Sequence, residues 1–281
     1  MVSRRRVRLG VGILSAGLLL AGCSGGGGDG TAKPTGSGST GSKSPAASGD
    51  TRSSPTPGPT PGASTAGLDF TPDPGRAPKT RAEAVRLAGT VAGTPGDLGP
   101  GFVRRSPYES GPGDWPVLDA NCVWQREPLP ATVLSTLTRY MELPAEDGKG
   151  PIRVAAVATV HRSVTDAEWE MAESLEEGLR CPDQQLRQGE RITGLLSQGA
   201  VFGLMGNFTS EDTLSESAKY YSDELGGPRY YYWVQSRLGQ VTVAAVGKGA
   251  KGRADEEVNT ALVQGVNQML SRAQTELEAP E

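Results

Sequence analysis

The sequence predicts an α+β domain, a mostly antiparallel twisted sheet with helices packed against it. Three observations predict it. Segments rich in β-branched and small apolar residues, such as 152–162 and 240–247, stand among stretches whose apolar residues recur at three- and four-residue spacing. Leu238-Gly239 joins two strand-like segments as a hairpin would, because glycine takes positive φ without steric cost. Connections such as Gly111-Pro112-Gly113 argue against the regular strand–helix–strand order of a parallel sheet.

The first helix opens on Thr80-Arg81-Ala82-Glu83, which reads as a capping box: hydroxyl and carboxylate satisfy free amides at the helix start. It runs to about Val91, with Ala84, Val85, Leu87, Ala88 and Val91 facing inward. Residues 121–127, around Cys122 and Trp124, form a candidate strand. Segment 131–143 is ambiguous. Leu134, Leu137 and Met141 fit a helix, but the threonines and the Asp147-Gly148 turn suit a strand paired with 152–162, and the strand is preferred. Thr165-Asp166-Ala167-Glu168 reads as a second capping box, opening a helix through Trp169, Ala172, Leu175, Glu176 and Leu179 that ends near Cys181-Pro182. Residues 199–208 are strand-like but glycine-rich, and 229–237 with 240–247 flank the hairpin junction. The last helix starts near Ala254 or Asp255 and places Val258, Leu262, Val266, Met269, Leu270 and Ala273 on one face.

Ahead of this domain the chain carries a targeting pattern. Arg4, Arg5, Arg6 and Arg8 precede an apolar run over 9–20, long enough for a signal peptide and too short to span a bilayer. The run closes on Leu20-Ala21-Gly22-Cys23, which resembles the lipobox of bacterial lipoproteins. The resemblance implies removal of residues 1–22 and a diacylglycerol on Cys23; an ordinary signal peptide with a chance cysteine is the competing reading. Ser3-Arg4-Arg5 hints at twin-arginine export, but Arg6-Val7-Arg8 fits that pattern poorly, so general secretion is preferred. Two or more acyl chains anchor stably where one binds only marginally, so the expected location is the extracytoplasmic face of the cell membrane. No later segment offers about 18 consecutive apolar residues.

Residues 24–78 are dominated by Gly, Ser, Thr, Pro and Ala, which cannot offset their ordering entropy by burial. They are expected to form a disordered tether with a typical reach near ~40 Å. The expected organisation is therefore a leader over 1–22, a lipidated cysteine and tether over 23–78, and one extracytoplasmic domain over 79–281.

The formal net charge is −4, and losing the leader's arginines makes it more negative, so neither a nucleic-acid footprint nor a basic membrane patch is expected. With Cys23 assigned to lipid, Cys122 and Cys181 remain as a single pair. In an exported domain they are expected to form a disulfide, contributing about 4 kcal/mol in the chain-entropy model. Two free buried thiols are the alternative; without Cys-x-x-Cys spacing a redox role is disfavoured.

Signals of catalysis are sparse. His161 is the only histidine, which excludes a multi-histidine metal site and makes any catalytic triad depend on it. It is expected as a surface or strand-end residue without a catalytic role. Neither Gly-x-Ser-x-Gly nor Ser-x-x-Lys occurs. Gly247-Lys248-Gly249-Ala250-Lys251-Gly252 matches Gly-x-Gly-x-x-Gly, but a dinucleotide site needs a parallel strand–helix–strand unit, and here the preceding strand belongs to an antiparallel hairpin. No cofactor is expected. Glu173, Glu176 and Glu177 lie opposite an apolar helix face and read as solvated surface. Asp255, Glu256 and Glu257 sit at a helix start, where the macrodipole favours negative charge.

The strongest binding signal is aromatic. On a strand, Tyr230 and Tyr232 point to one face, Tyr231 and Trp233 to the other, with Gln235 beyond Trp233 on the same side. One face serves the core, and the other is either packed as well or exposed as an aromatic platform for sugars, peptides or flat apolar ligands. Tyr230, Tyr231, Tyr232, Trp233 and Gln235 are the candidate ligand-binding residues.

The anchor, the Pro/Thr/Gly linker, the Cys122-Val123-Trp124 strand and the helix ending at Cys181 together resemble actinobacterial surface lipoproteins of unknown role. More distantly they resemble the extracellular sensor domains of mycobacterial serine/threonine kinases. The resemblance implies a ligand-binding module with a cleft in its sheet, although those domains tend to carry two disulfides and a kinase portion. The expected function is a non-catalytic ligand-binding or sensor-like domain on a membrane-anchored lipoprotein, meeting an envelope ligand or protein partner. The alternative is a structural or partner-interaction protein without a small ligand. A buried carboxylate or His161 in a cleft would instead point to an enzyme.

Overall fold

Residues 70–111, 113–201 and 210–279 are described by the computed structural model. Cys23, the leader and the tether to residue 69 lie outside them, as do 202–208 of the strand expected at 199–208. The ten strands are β1 (Val103–Glu109), β2 (Asp114–Leu118), β3 (Trp124–Pro128), β4 (Val133–Leu143), β5 (Ile152–His161), β6 (Gln184–Arg187), β7 (Glu190–Val201), β8 (Asp212–Ser222), β9 (Gly226–Leu238) and β10 (Val241–Lys248). The helices are α1 (Arg81–Val91), α2 (Val164–Arg180) and α3 (Asp255–Leu277). Eight strands form one sheet in the order β1-β4-β5-β10-β9-β8-β7-β6, antiparallel throughout, and β2 with β3 makes a separate hairpin. This is the α+β class expected from the sequence.

Strand alternation decides which residues meet which helix. Ile152, Val154, Ala156, Ala158 and Val160 of β5 and Val241, Val243 and Ala245 of β10 are buried on the face covered by α1 and α3. The last helix presents the apolar set read from its spacing, Val258 through Ala273, all buried. Thr80 and Glu83 cap α1 reciprocally. The ambiguous segment is β4, paired with β5 from Val133↔His161 to Leu143↔Ile152. Gly239 closes the β9–β10 hairpin at φ +57°. Gly247 has a packing role: a Cβ there would stand 2.6 Å from Val258 and 3.1 Å from Leu262. The Gly-x-Gly-x-x-Gly match thus follows a strand antiparallel to both neighbours, whose first glycine admits α3.

Several elements depart from expectation. Ser163, not Thr165, caps α2, accepting from the Asp166 amide at 3.1 Å. The helix is also turned over. Trp169 and Leu179 are 63% and 73% exposed, while Ala167, Met171 and Gly178 are buried against the sheet. Residues 121–122 form a turn rather than a strand, with Cys122 at φ +60° and Asp119 Oδ1 accepting from the Asn121 and Val123 amides. Residues 70–78, assigned to the tether by composition, pack on the domain: Asp73 N donates to Leu277 O, Pro72 bridges Glu278, and Phe70 meets the core. Among the described residues no helix is long and apolar enough to cross a membrane.

Candidate functional site

The sheet face turned away from α1 and α3 carries the chemistry. Here the inward set is mixed: Thr136 and Thr138 on β4, Val157 and Thr159 on β5, Ala244 on β10, Tyr231, Trp233 and Gln235 on β9, and Glu216 on β8. Cross-strand register places Glu216 opposite Trp233, and Gln235 between Leu214 and Ala244. The small side chains of Ala244 and Val157 leave room above the sheet. The cover is made by α2 and by the β2–β3 hairpin, which contributes Trp115, Pro116, Val117 and Trp124. Between them lies a cavity of about 240 Å³.

The cover is fastened at one end of α2. Cys122 and Cys181 stand at disulfide distance, Sγ to Sγ 2.07 Å with Cα atoms 5.5 Å apart. Beside them the Arg180 guanidinium donates to Asp119 O at 3.2 Å and Leu118 O at 3.3 Å. Trp124 Nε1 donates to Gln184 Oε1 at 2.8 Å, and Gln184 Nε2 to Cys181 O at 3.0 Å. The hairpin is thereby held to α2 and β6 rather than floating over the sheet.

Gly178 sets how closely α2 approaches. A Cβ at this position would stand 2.4 Å from Glu216 Oε1 and 2.6 Å from Ser197 Oγ. A glycine inside a helix costs about 1 kcal/mol relative to alanine, and here it makes space for a buried carboxylate. That approach also explains the turned helix. The face carrying Gly178 must lie on the sheet, so Glu170 and Glu177 turn inward with it and Trp169 and Leu179 turn out.

Four carboxylates line the cavity: Glu170, Glu173 and Glu177 from α2 and Glu216 from β8. Among the described residues on its wall, every charged side chain is a carboxylate. Burial raises Glu177 to about 7, reinforced by Glu173 and Glu176 and opposed by a hydrogen bond from the Leu118 amide and by Arg180. Glu216 is 8% exposed; burial raises it too, against the Ser197 hydroxyl that donates to it at 2.7 Å. Tyr231 is pushed up by burial and by the nearby Glu216. Gln235 is 3% exposed, and its Oε1 is buried without a hydrogen-bond partner among the described residues. A buried acceptor left without a partner costs roughly 1–3 kcal/mol.

His161 ends β5 but is 1% exposed, because α2 covers it. Its Nε2 is 2.7 Å from Glu170 Oε2, and the Thr242 hydroxyl donates to the same oxygen. The histidine therefore positions a cavity carboxylate from behind and does not itself line the wall. Farther along this face, Glu190 accepts from Arg187 and Lys248. Burial works against its charge, but those two partners hold it at about 2. Burial in turn lowers Lys248. This paired cluster reads as structural. No group of residues suited to holding a metal occurs among the described residues.

The structure divides the aromatic run. Tyr231, Trp233 and Gln235 line the cavity, whereas Tyr230 and Tyr232 stack on each other at 6.1 Å on the opposite face, beside α3. Of the acidic trio expected at the surface, Glu176 is exposed, Glu173 stands at the rim and Glu177 is turned into the cavity, a correction that follows from the orientation of α2. Trp115, Trp124, Gln184, Glu170 and Glu216 carried no sequence signal strong enough to nominate them. The nearest was Glu216, which shares an alternating face with Leu214, Ala218 and Tyr220. A carboxylate among inward apolar residues is unusual unless it is paired or used. No protein-family model and no curated protein matches the chain.

Proposed function

We propose that this chain is a lipid-anchored extracytoplasmic protein whose domain binds a small ligand without transforming it, in the cavity between α2, the β2–β3 hairpin and the sheet. The observation that carries the reading is the cavity itself. A concave apolar and aromatic space holding a few convergent, incompletely satisfied polar groups is the usual form of a ligand site. An engineered cavity of ~150 Å³ accepts benzene, so about 240 Å³ suits a ligand of that size or somewhat larger.

Three of the four tryptophans, Trp115, Trp124 and Trp233, line the cavity, and the fourth, Trp169, is exposed on α2. Tryptophan fluorescence therefore reports occupancy. A library of compounds of about 6–14 heavy atoms should yield ligands that change the emission and raise the melting temperature together. A library that moves neither would remove the ligand-binding reading.

Glu177 in a cleft favours acid–base catalysis, but Glu216 is shifted in the same direction. Acid–base pairs are recognised by environments that push two groups apart, so the binding reading is preferred. The partner-interaction reading draws on a different observation, the exposed apolar line Val164, Trp169, Leu175 and Leu179 along α2. Under that reading, polar substitutions on this line abolish envelope association while leaving the cavity's ligands bound.

A further inference from the structure

We propose that the cavity selects an organic cation, an ammonium or amidinium head on a short apolar body. The inference rests on the reading of the cavity as a ligand site and names the chemistry of the ligand. It follows from three independent features. The first is charge: the wall's charged groups are all carboxylates. An anion would meet repulsion from whichever of these groups is ionised, whereas a cation would be attracted to them.

The second is the orphaned acceptor. Gln235 is 97% buried, from an exposure of 3%, and its Oε1 has no partner among the described residues. It lies on the cavity floor one strand from Glu216, which faces its neighbour Trp233. An N–H donor placed between these two strands satisfies the amide oxygen and the carboxylate together, and charge-assisted bonds of this kind are the stronger ones. The third is the aromatic wall. Trp115, Trp124 and Trp233 line the same space, and a cation over an aromatic face gains most when water is excluded.

Cation binding should release a proton. The groups facing Glu177 are Glu170, Glu173, Glu176 and Arg180 on its own helix, the Leu118 amide on β2, and Glu216 and Tyr231 on the sheet. Burial holds the Glu177 carboxyl at about 7; a bound cation favours its ionised form. Affinity then rises with pH through 7 and levels off above it.

The test uses the full chain and three probes of one shape: benzylammonium, benzyl alcohol and benzoate, followed by tryptophan fluorescence and calorimetry at pH 6 and 8. Benzylammonium should bind about tenfold or more tighter than benzyl alcohol at pH 8, benzoate should not compete, and the cation's affinity should fall about tenfold at pH 6. Glu216→Gln and, separately, Gln235→Leu should each erase most of that preference while benzyl alcohol still binds, which also shows that the variants are folded. If benzyl alcohol or benzoate binds the unaltered chain as tightly as the cation, selection is overturned and the ligand site stands. Retention of the full preference in Gln235→Leu, or a cation affinity flat across pH 6–8, likewise overturns it. If no probe binds at millimolar concentration, the ligand site falls as well.

Discussion

Glu177, half-buried, and Glu190, buried, are two carboxyls whose environments act in opposite directions. The folded protein raises Glu177 from 4.5 to about 7. Its contribution to stability is fully present below the unfolded pKa, and is lost as pH rises from about 4.5 through 7. Because the side chain is partly open to the cavity, the loss is on the order of 1–2 kcal/mol rather than the full shift. Glu177→Gln should therefore match the parent near pH 4.5 and exceed it by about that amount at pH 8 in urea titrations; an unchanged difference across this range would count against burial of the carboxyl. Glu190, held at about 2, contributes stability above 4.5 that disappears as pH falls toward 2. Glu190→Gln leaves Lys248 buried without its carboxylate and should cost roughly 3 kcal/mol at pH 7. One group is held by its partners and the other is disfavoured by its surroundings, the contrast expected between a structural pair and a candidate functional group.

At the scale of elements, the β2–β3 hairpin and α2 form the cavity's cover, and their shared fastening is Cys122–Cys181. Replacing both cysteines with serine should cost up to about 4 kcal/mol and raise hydrogen exchange selectively at 114–128. Equal exchange in the two proteins would show that Arg180 and Gln184 alone hold the hairpin. These elements were also the least legible in the sequence. The α1 cap, the buried face of α3 and the β9–β10 hairpin depend on local spacing and turn chemistry, so the residues themselves disclosed them. The β4–β5 pairing was legible once the Asp147-Gly148 turn outweighed the helical spacing of Leu134, Leu137 and Met141. In α2 the same reasoning misled, because amphipathic spacing identifies a face but not which face is buried. A long-range constraint decided it, the approach of Gly178 to Glu216 on β8. Tyr231, Trp233 and Gln235 could be nominated, together with Tyr230 and Tyr232 of the opposite face, because the aromatic run is local. Their partners Trp115, Trp124 and Glu177 arrive from distant segments, so no spacing rule joins them.

For the whole molecule, the first described residues and the cavity lie on opposite sides of the sheet. The described chain begins at Phe70 and pairs beside the end of α3 through Pro72 and Glu278, while α2 and the cavity occupy the other face. The proposed anchor is Cys23, where two or more acyl chains would give stable attachment and one chain only a marginal one. Cys23→Ser should leave the leader uncleaved by the lipoprotein pathway and shift the protein out of the washed membrane fraction. The intact mass should lack the acyl increment, while cation affinity stays within about twofold of the parent. Unchanged mass and fractionation would refute lipidation without touching the cavity. Loss of ligand binding in a folded, unlipidated chain would instead show that the membrane completes the site.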